Sequence, residues 1–400
     1  HHRRHARRRQ RRARRRHDLL CFSVITDNYI WACDWAREIK NYHNIPIVFG
    51  GIHPTSVPER VVMLPFIDYV CVGEGDEAIV DLAQALSNNQ PVDRIKNIWF
   101  KTNDSVIKNE PRPLIDNLDD FPFADKDLFQ QAAPIFHSGY TILTSRNCLY
   151  SCSYCCNNVW KRIYKSEKNI FRKRSIRNVI EELKMAKIKY KPRYIAFLDE
   201  VFNADGTWLK EFLKRYRKEI TLPFSCYLYP DLITEDIASL LKRAGCIKAQ
   251  MGIQVIDEDK RQNVLNRYSS QRAIAQSITS LRREKIFVTC DNIFGFPDEE
   301  KRDLEKLAYF YLECPPHRTE IFWLRYYPKT DIVQWSKDKK YIDDKKIEEI
   351  ETGQLKKGIA KGGDHESLMA KQFMLLFYLF RFLSKPLSYF ILNKKLYRFF

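Results

Sequence analysis

The fold class predicted for this chain is α/β: a partial six-unit (β/α) barrel of the TIM type, preceded by an incomplete doubly wound domain and followed by a helical tail. Three observations predict it. Short apolar runs alternate with segments of helical period along two separate stretches, the pattern of parallel strands covered by helices. A proline-rich acidic stretch, residues 110–123, divides the two series. Four cysteines crowd into one loop just past a predicted strand, and strand ends are where barrel folds carry their chemistry.

The first series runs through residues 18–90. Residues 19–26 (LLCFSVIT), 45–49 (IPIVF) and 67–72 (IDYVCV) read as strands. Residues 31–42 have helical spacing, with Trp31, Trp35 and Ile39 four apart, and residues 78–86 are again helical. The second strand ends at Gly50-Gly51 and the third at Gly73-Glu74-Gly75. The pattern resembles the second half of a doubly wound domain, whose first strands are either missing or hidden behind the arginine-rich residues 1–17. Residues 91–133 break the rhythm with a predicted hairpin around Asn103-Asp104 and then the proline-rich stretch, read as a connector.

The second series fills residues 134–335. Candidate strands lie at 140–144, 194–198, 224–229, 248–254, 286–294 and 320–327. Helices fit between them, one presenting Ile176, Val179, Ile180 and Leu183 on a face, another Trp208, Phe212 and Tyr216. Residues 336–400 are helical by composition. Their apolar run at 373–383 is shorter than the roughly 20 residues of a membrane span. Packing against the domain is the preferred reading, and peripheral contact with a membrane surface the other.

Hydrophobic residues make up 44% of the 400, enough for a packed core and too many for bulk disorder. The charge is uneven. Residues 1–17 read HHRRHARRRQRRARRRH, with ten arginines and no acid; without them the formal charge falls from +18 to +8. Such a tract is either a basic arm for nucleic acid or a disordered or wrongly translated stretch, and the second reading is preferred. It has no apolar segment, so it is not a secretory signal. The eleven cysteines are not spread as a disulfide framework would be. A reduced, cytoplasmic thiol set with a metal role is expected.

Cys148, Cys152 and Cys155 stand in one loop as C-x-x-x-C-x-x-C. Three thiolates so placed suit three irons of a cubane cluster, leaving a fourth iron open. Structural zinc is the competing reading, but it asks for four ligands, commonly from two knuckles. Cys156, adjacent to Cys155, is poorly placed to complete them.

With Tyr154 in its aromatic position, this loop after the first barrel strand resembles the signature of the radical S-adenosylmethionine (SAM) superfamily. The resemblance implies a [4Fe-4S] cluster on Cys148, Cys152 and Cys155, SAM on the open iron, and one-electron cleavage of SAM to a 5′-deoxyadenosyl radical. Phe197-Leu198-Asp199-Glu200-Val201-Phe202 resembles the family's acidic element near the SAM amino end. Met251-Gly252-Ile253-Gln254 resembles the element beside SAM. The resemblance thus implies SAM contacts at Tyr154, Asp199, Glu200, Gly252 and Gln254. Gly295-Phe296-Pro297-Asp298-Glu299 resembles the turn after the fifth strand, but departs at Asp298, where the family has glycine.

Gly50-Gly51-Ile52-His53-Pro54-Thr55 followed by Gly73-Glu74-Gly75 resembles the later part of the Rossmann/flavodoxin-like cobalamin-binding domain found in many radical SAM proteins. Cobalamin contacts are expected at Gly50, Gly51, His53, Pro54, Thr55, Gly73, Glu74 and Gly75. His53 is not expected to ligate cobalt, because the family takes that histidine from an earlier D-x-H-x-x-G loop that this sequence lacks.

The function expected is cobalamin-dependent methyl transfer to an unactivated centre of a small molecule, and the aromatic-rich tail points to a hydrophobic one. A one-electron donor such as flavodoxin or ferredoxin would supply the reductant. Oxidative cyclisation or rearrangement on the same domain pair is the alternative. A nucleic-acid-binding protein using the arginine tract is a further one, disfavoured because no nucleic-acid fold motif follows residue 17.

Overall fold

The computed structural model describes residues 18–130, 138–165, 170–354 and 367–399. The arginine tract lies outside them. Along the chain, β1 (Leu20–Ser23), α1 (Tyr29–Tyr42), β2 (Ile47–Gly50), α2 (Ile52–Ser56), β3 (Tyr69–Cys71) and α3 (Asp76–Ser87) lead to β4 (Ile98–Lys101) and β5 (Val106–Lys108). Then come β6 (Gly139–Ile142), β7 (Ser145–Arg146), α4 (Asn157–Ile163), β8 (Arg172–Lys173), α5 (Ile176–Lys189), β9 (Tyr194–Phe197), α6 (Gly206–Glu219), β10 (Phe224–Leu228), α7 (Glu235–Ala244) and β11 (Cys246–Gln254). The last are α8 (Gln271–Arg283), β12 (Phe287–Phe294), α9 (Lys301–Glu313), β13 (Arg318–Trp323), α10 (Asp331–Asp338), α11 (Asp344–Glu351), α12 (Leu368–Leu379) and α13 (Lys385–Asn393).

The chain forms two compact units. Of the described residues, one holds 18–114 together with 158–165 and 327–354; the other holds 115–130, 138–157, 170–326 and 367–399. Both later returns to the first unit lie within segments that the sequence pattern assigns to the barrel or the tail.

In the first unit β1, β2 and β3 pair in parallel, as the alternating pattern predicts. The hairpin of β4 and β5 joins the same sheet, antiparallel to β3. It is therefore part of that sheet rather than of a free connector, because the backbone groups of β3's open edge find partners there. Helix α1 turns a different face inward from the one its tryptophans mark. Trp31 and Trp35 are exposed, while Tyr29, Ala32, Cys33 and Ala36 are buried. Small residues let a helix lie close to a sheet, and two indoles cannot.

In the second unit six strands form one parallel sheet in the order β13-β12-β11-β10-β9-β6. It is open, with β6 and β13 at its edges. The helices start where side chains cap them: Ser175, Asp205, Thr234 and Ser270 each accept a backbone N–H from the first turn of α5, α6, α7 and α8. Their inner faces meet the sheet in an aromatic core in which Phe197 contacts Phe202, Phe212 and Phe224. Fully burying one such ring contributes about 1.5–3 kcal/mol. This packing makes the strand ends a rigid rim.

Candidate active site

The rim of the second unit begins where β6 runs out. Past Thr144 the chain forms β7, which pairs antiparallel with β8 and closes the base of the cysteine loop. Asn147, in left-handed backbone at φ 62°, donates its amide to the Ile170 carbonyl at 3.1 Å. The loop is also tied to residues 264–266. The Ser153 N–H donates to the Leu265 carbonyl at 2.9 Å, and the Asn266 amide donates to the Ser151 carbonyl at 2.8 Å.

Cys148, Cys152 and Cys155 line one cavity of about 220 Å³ with Tyr154, Glu200, Gly252 and Gln254. Six of the residues expected around cluster and SAM thus meet at the ends of β6, β9 and β11 together with Tyr154. Cys156 does not line it. Among the described residues no three His, Cys, Asp or Glu side chains already stand around one metal position. The donor set nevertheless suits an iron–sulfur cluster: three thiols on one loop, with a cation beside them to balance thiolate charge. Burial pushes the Cys155 thiol up to about 12.

That cation is Arg267, which sequence reasoning missed. Its Nη1 lies 3.6 Å from the Cys152 sulfur, and its Nη2 donates to the Gly252 carbonyl at 2.6 Å. The guanidinium sits 4.4 Å from the Tyr229 ring centre, and that ring stacks on Tyr150 at 3.8 Å. Burial works against its charge, but Tyr154 and Cys152 outweigh burial and hold its pKa above the ordinary value. No local motif announces it.

The two acids after β9 have separate surroundings. Asp199 is fully buried and takes the Thr144 N–H at 3.0 Å, the Thr144 hydroxyl at 2.7 Å and the Ser145 hydroxyl at 2.5 Å. It does not line the cavity. Glu200 does, and burial pushes its carboxyl above the ordinary range against a hydrogen bond from Asn157. Gln254 stands at a bulge between β11 and β12 in left-handed backbone at φ 68°, a strained position that aims its amide at the cavity. Gln250 and Asp291 close the far wall, joined at 3.0 and 2.9 Å. Burial raises the Asp291 carboxyl to about 6, with Glu320 adding to the rise and Gln250 opposing it. The available signal for Asp291 was an acid in the middle of a predicted core strand.

After β12 the left-handed residue is Gly295, at φ 79°, whose N–H donates to the Glu299 carboxylate at 3.1 Å. The turn therefore needs its glycine at 295, and Asp298 instead holds Lys260 at 3.3 Å.

In the first unit the two glycine loops meet at the ends of β2 and β3. The Gly73 N–H donates to the Thr55 hydroxyl at 3.1 Å. The Glu74 N–H donates to the Tyr164 hydroxyl at 2.8 Å. Gly51, at φ 95°, could not carry a side chain, because a Cβ would lie 2.7 Å from the Val24 carbonyl. His53 is fully buried, its Nδ1 3.1 Å from the Thr26 hydroxyl and its ring 4.0 Å from Tyr29. It supports the loop from beneath. A cavity of about 490 Å³ adjoins α2, lined by Thr55, Ser56, Arg162, Lys329 and Gln334 among others. Asp331 and Glu351 line it too and hold Arg162 at 2.6 Å and Lys329 at 2.5 Å, so the lining offers hydroxyls and an amide to the amide side chains of cobalamin.

Comparison with known proteins finds two family matches along the chain. Residues 142–310 match the radical SAM superfamily, and residues 4–83 match the B12 binding domain. An uncharacterized methyltransferase of Pyrococcus horikoshii is 28% identical over 330 residues, 80% of this chain and 69% of the relative. The anaerobic magnesium-protoporphyrin IX monomethyl ester cyclase of Synechocystis is 24% identical over 297 residues, 70% of this chain and 58% of the relative. The chain thus spans part of each of these relatives. Among solved structures, the radical SAM methyltransferase TsrM of Kitasatospora setae, with tryptophan and a SAM analogue bound, superposes with a TM-score of 0.68 at 18% identity. That superposition covers 82% of this chain and 67% of TsrM, and it is a likeness of fold.

Proposed function

Because residues 142–310 match the radical SAM superfamily and residues 4–83 the B12 binding domain, we propose that this chain catalyses cobalamin-dependent methyl transfer to an unactivated centre of a small molecule. One observation carries the reading: three loop cysteines share a cavity with a buried cation and with acids of perturbed pKa. When bound, a [4Fe-4S] cluster and SAM supply reductive cleavage of the sulfonium, and cobalamin supplies a transferable methyl group.

The chain's own groups divide the work. Cys148, Cys152 and Cys155 hold the cluster. Arg267 offers its free donor edge to the SAM carboxylate while balancing the thiolates, as a guanidinium fork suits a carboxylate. Glu200 receives the SAM ammonium. Gln254 and Asp291 accept from hydroxyl groups on the far side. Asp199 fixes the loop that carries the cysteines. The walls of Tyr229 and Tyr150 exclude water, which strengthens each of these electrostatic contacts. In the first unit Gly50, Gly51, Thr55, Gly73, Glu74 and Gly75 form the loops that take cobalamin. A one-electron donor such as flavodoxin or ferredoxin, a cytoplasmic setting and peripheral membrane contact through the C-terminal tail complete the reading.

Anaerobic reconstitution with iron, sulfide and hydroxocobalamin tests it. Iron approaching four per chain, broad absorbance bleached by dithionite, and cobalamin retained through gel filtration are expected. Zinc without iron would overturn it. Retained cofactors with SAM cleavage but no methylated product would favour the cyclase reading, the direction of the 24%-identical relative.

A further inference from the structure

The C-terminal tail carries a surface that the cavity chemistry leaves unused. Helix α12 is apolar nearly all round, with Lys371 and Gln372 its main polar interruptions. Phe373, Leu376 and Phe377 are buried in the core of the second unit. A helix hydrophobic on every side asks for an apolar neighbour on every side. Its outer side leaves Leu368, Leu375 and Tyr378 exposed. The turn into α13 adds Phe382, 83% exposed, and α13 itself adds Leu387 and Phe390.

Charge accompanies these side chains. Residues 367–399 contain six Lys or Arg and no Asp or Glu. Lys385 is held by Glu313 on α9 at 3.0 Å. Lys394 and Lys395 are exposed at the end of α13.

We infer that this tail is a docking surface for an anionic lipid bilayer, with Phe382, Leu387 and Phe390 entering the headgroup boundary and Lys394 and Lys395 facing the phosphates. It deepens the membrane contact named in the proposed function and does not depend on cluster, SAM or cobalamin. Charge complementarity selects the occupant. The six cations of the segment outnumber the exposed Glu313 carboxylate that Lys385 engages, so two copies apposed through this face would bring like charges together, whereas anionic headgroups neutralise them. Aromatic side chains beside lysines are the pattern of segments that lie in a membrane interface. Among the described residues no helix is long and apolar enough to cross a membrane, so the contact is peripheral.

Cosedimentation of the full chain with vesicles tests this. Vesicles containing one quarter phosphatidylglycerol should bind at least tenfold more protein than phosphatidylcholine alone, and salt should reverse it. The paired substitution Lys394→Glu/Lys395→Glu should lower partitioning about twentyfold or more, since each lysine near an anionic surface is worth about fivefold. Phe382→Ser/Phe390→Ser should lower it about tenfold. Lys214→Glu/Lys218→Glu, an equal charge change on exposed positions of α6, should leave it within about twofold. Every variant keeps residues 1–17, so their arginines contribute equally. Equal loss from the tail and α6 pairs overturns the inference, as do serine variants that bind like the parent. So does a concentration-dependent dimer in sedimentation that the serine variants dissolve. The lysine pairs keep the test open should a serine variant fail to fold.

Discussion

Asp199 and Thr144 are joined twice, the carboxylate accepting both the amide and the hydroxyl of the threonine at 3.0 and 2.7 Å. This fastens the end of β9 to the first residues leading into the cysteine loop. Asp199 therefore belongs to the loop's foundation, and its neighbour Glu200 to the cavity.

Asp199→Ala leaves buried donors on Thr144 and Ser145 unsatisfied, at about 1–3 kcal/mol each. Iron retained after reconstitution should fall at least severalfold, and Asp199→Asn should recover part of it. Glu200→Gln should keep iron and weaken SAM binding about tenfold, measured by equilibrium dialysis. Full iron in Asp199→Ala with weakened SAM binding would return Asp199 to the role its motif implies.

Cys152→Ala should abolish iron loading beyond a residual level and stop SAM cleavage, while Cys156→Ala should keep both. Iron assay and cluster absorbance decide. Loss on Cys156→Ala with retention on Cys155→Ala would reverse the ligand assignment.

Arg267→Met removes the cation beside Cys152 and leaves the Gly252 carbonyl without its partner. SAM affinity should fall more than tenfold. Arg267→Lys should recover little, because a point charge cannot reproduce two divergent donors. Titration of SAM against the cluster's electron resonance spectrum measures both.

Burial pushes the His53 imidazole down to about 4, against a smaller opposing pull from Glu351. The fold thus prefers neutral His53, while the unfolded chain takes up a proton near 6.5. Stability should be complete above pH 6.5, fall as the pH drops from there towards 4, and level off below. The loss is at most about 3 kcal/mol. Urea unfolding at several pH values should show that slope, and His53→Gln should flatten it. Parallel slopes for the two proteins would exclude His53 as the source.

The chemistry was legible where the chain is local. C-x-x-x-C-x-x-C needs no tertiary information to propose three ligands, because one loop carries them all. The six barrel strands were legible because apolar runs alternate with helical period. Trp31 and Trp35 misled, because a helix's apolar stripe marks its buried face only when the sheet leaves room for large side chains, and Ala32 and Ala36 show that this one does not. Asp199 and Glu200 are adjacent in sequence and were given one role. Successive residues leaving a strand point in opposite directions, and only the fold says which direction is the cavity.

The sequence by itself determined the cysteine loop, the alternation of strand and helix, and the glycine turn at 295, since each depends on neighbours a few residues apart. The tertiary structure alone decided that Arg267 stands against Cys152, 115 positions away, that Gln250 and Asp291 form one wall, and that the hairpin after β3 completes the first sheet. Those partners come from different strands and loops, and only packing sets the distances at which their charges act.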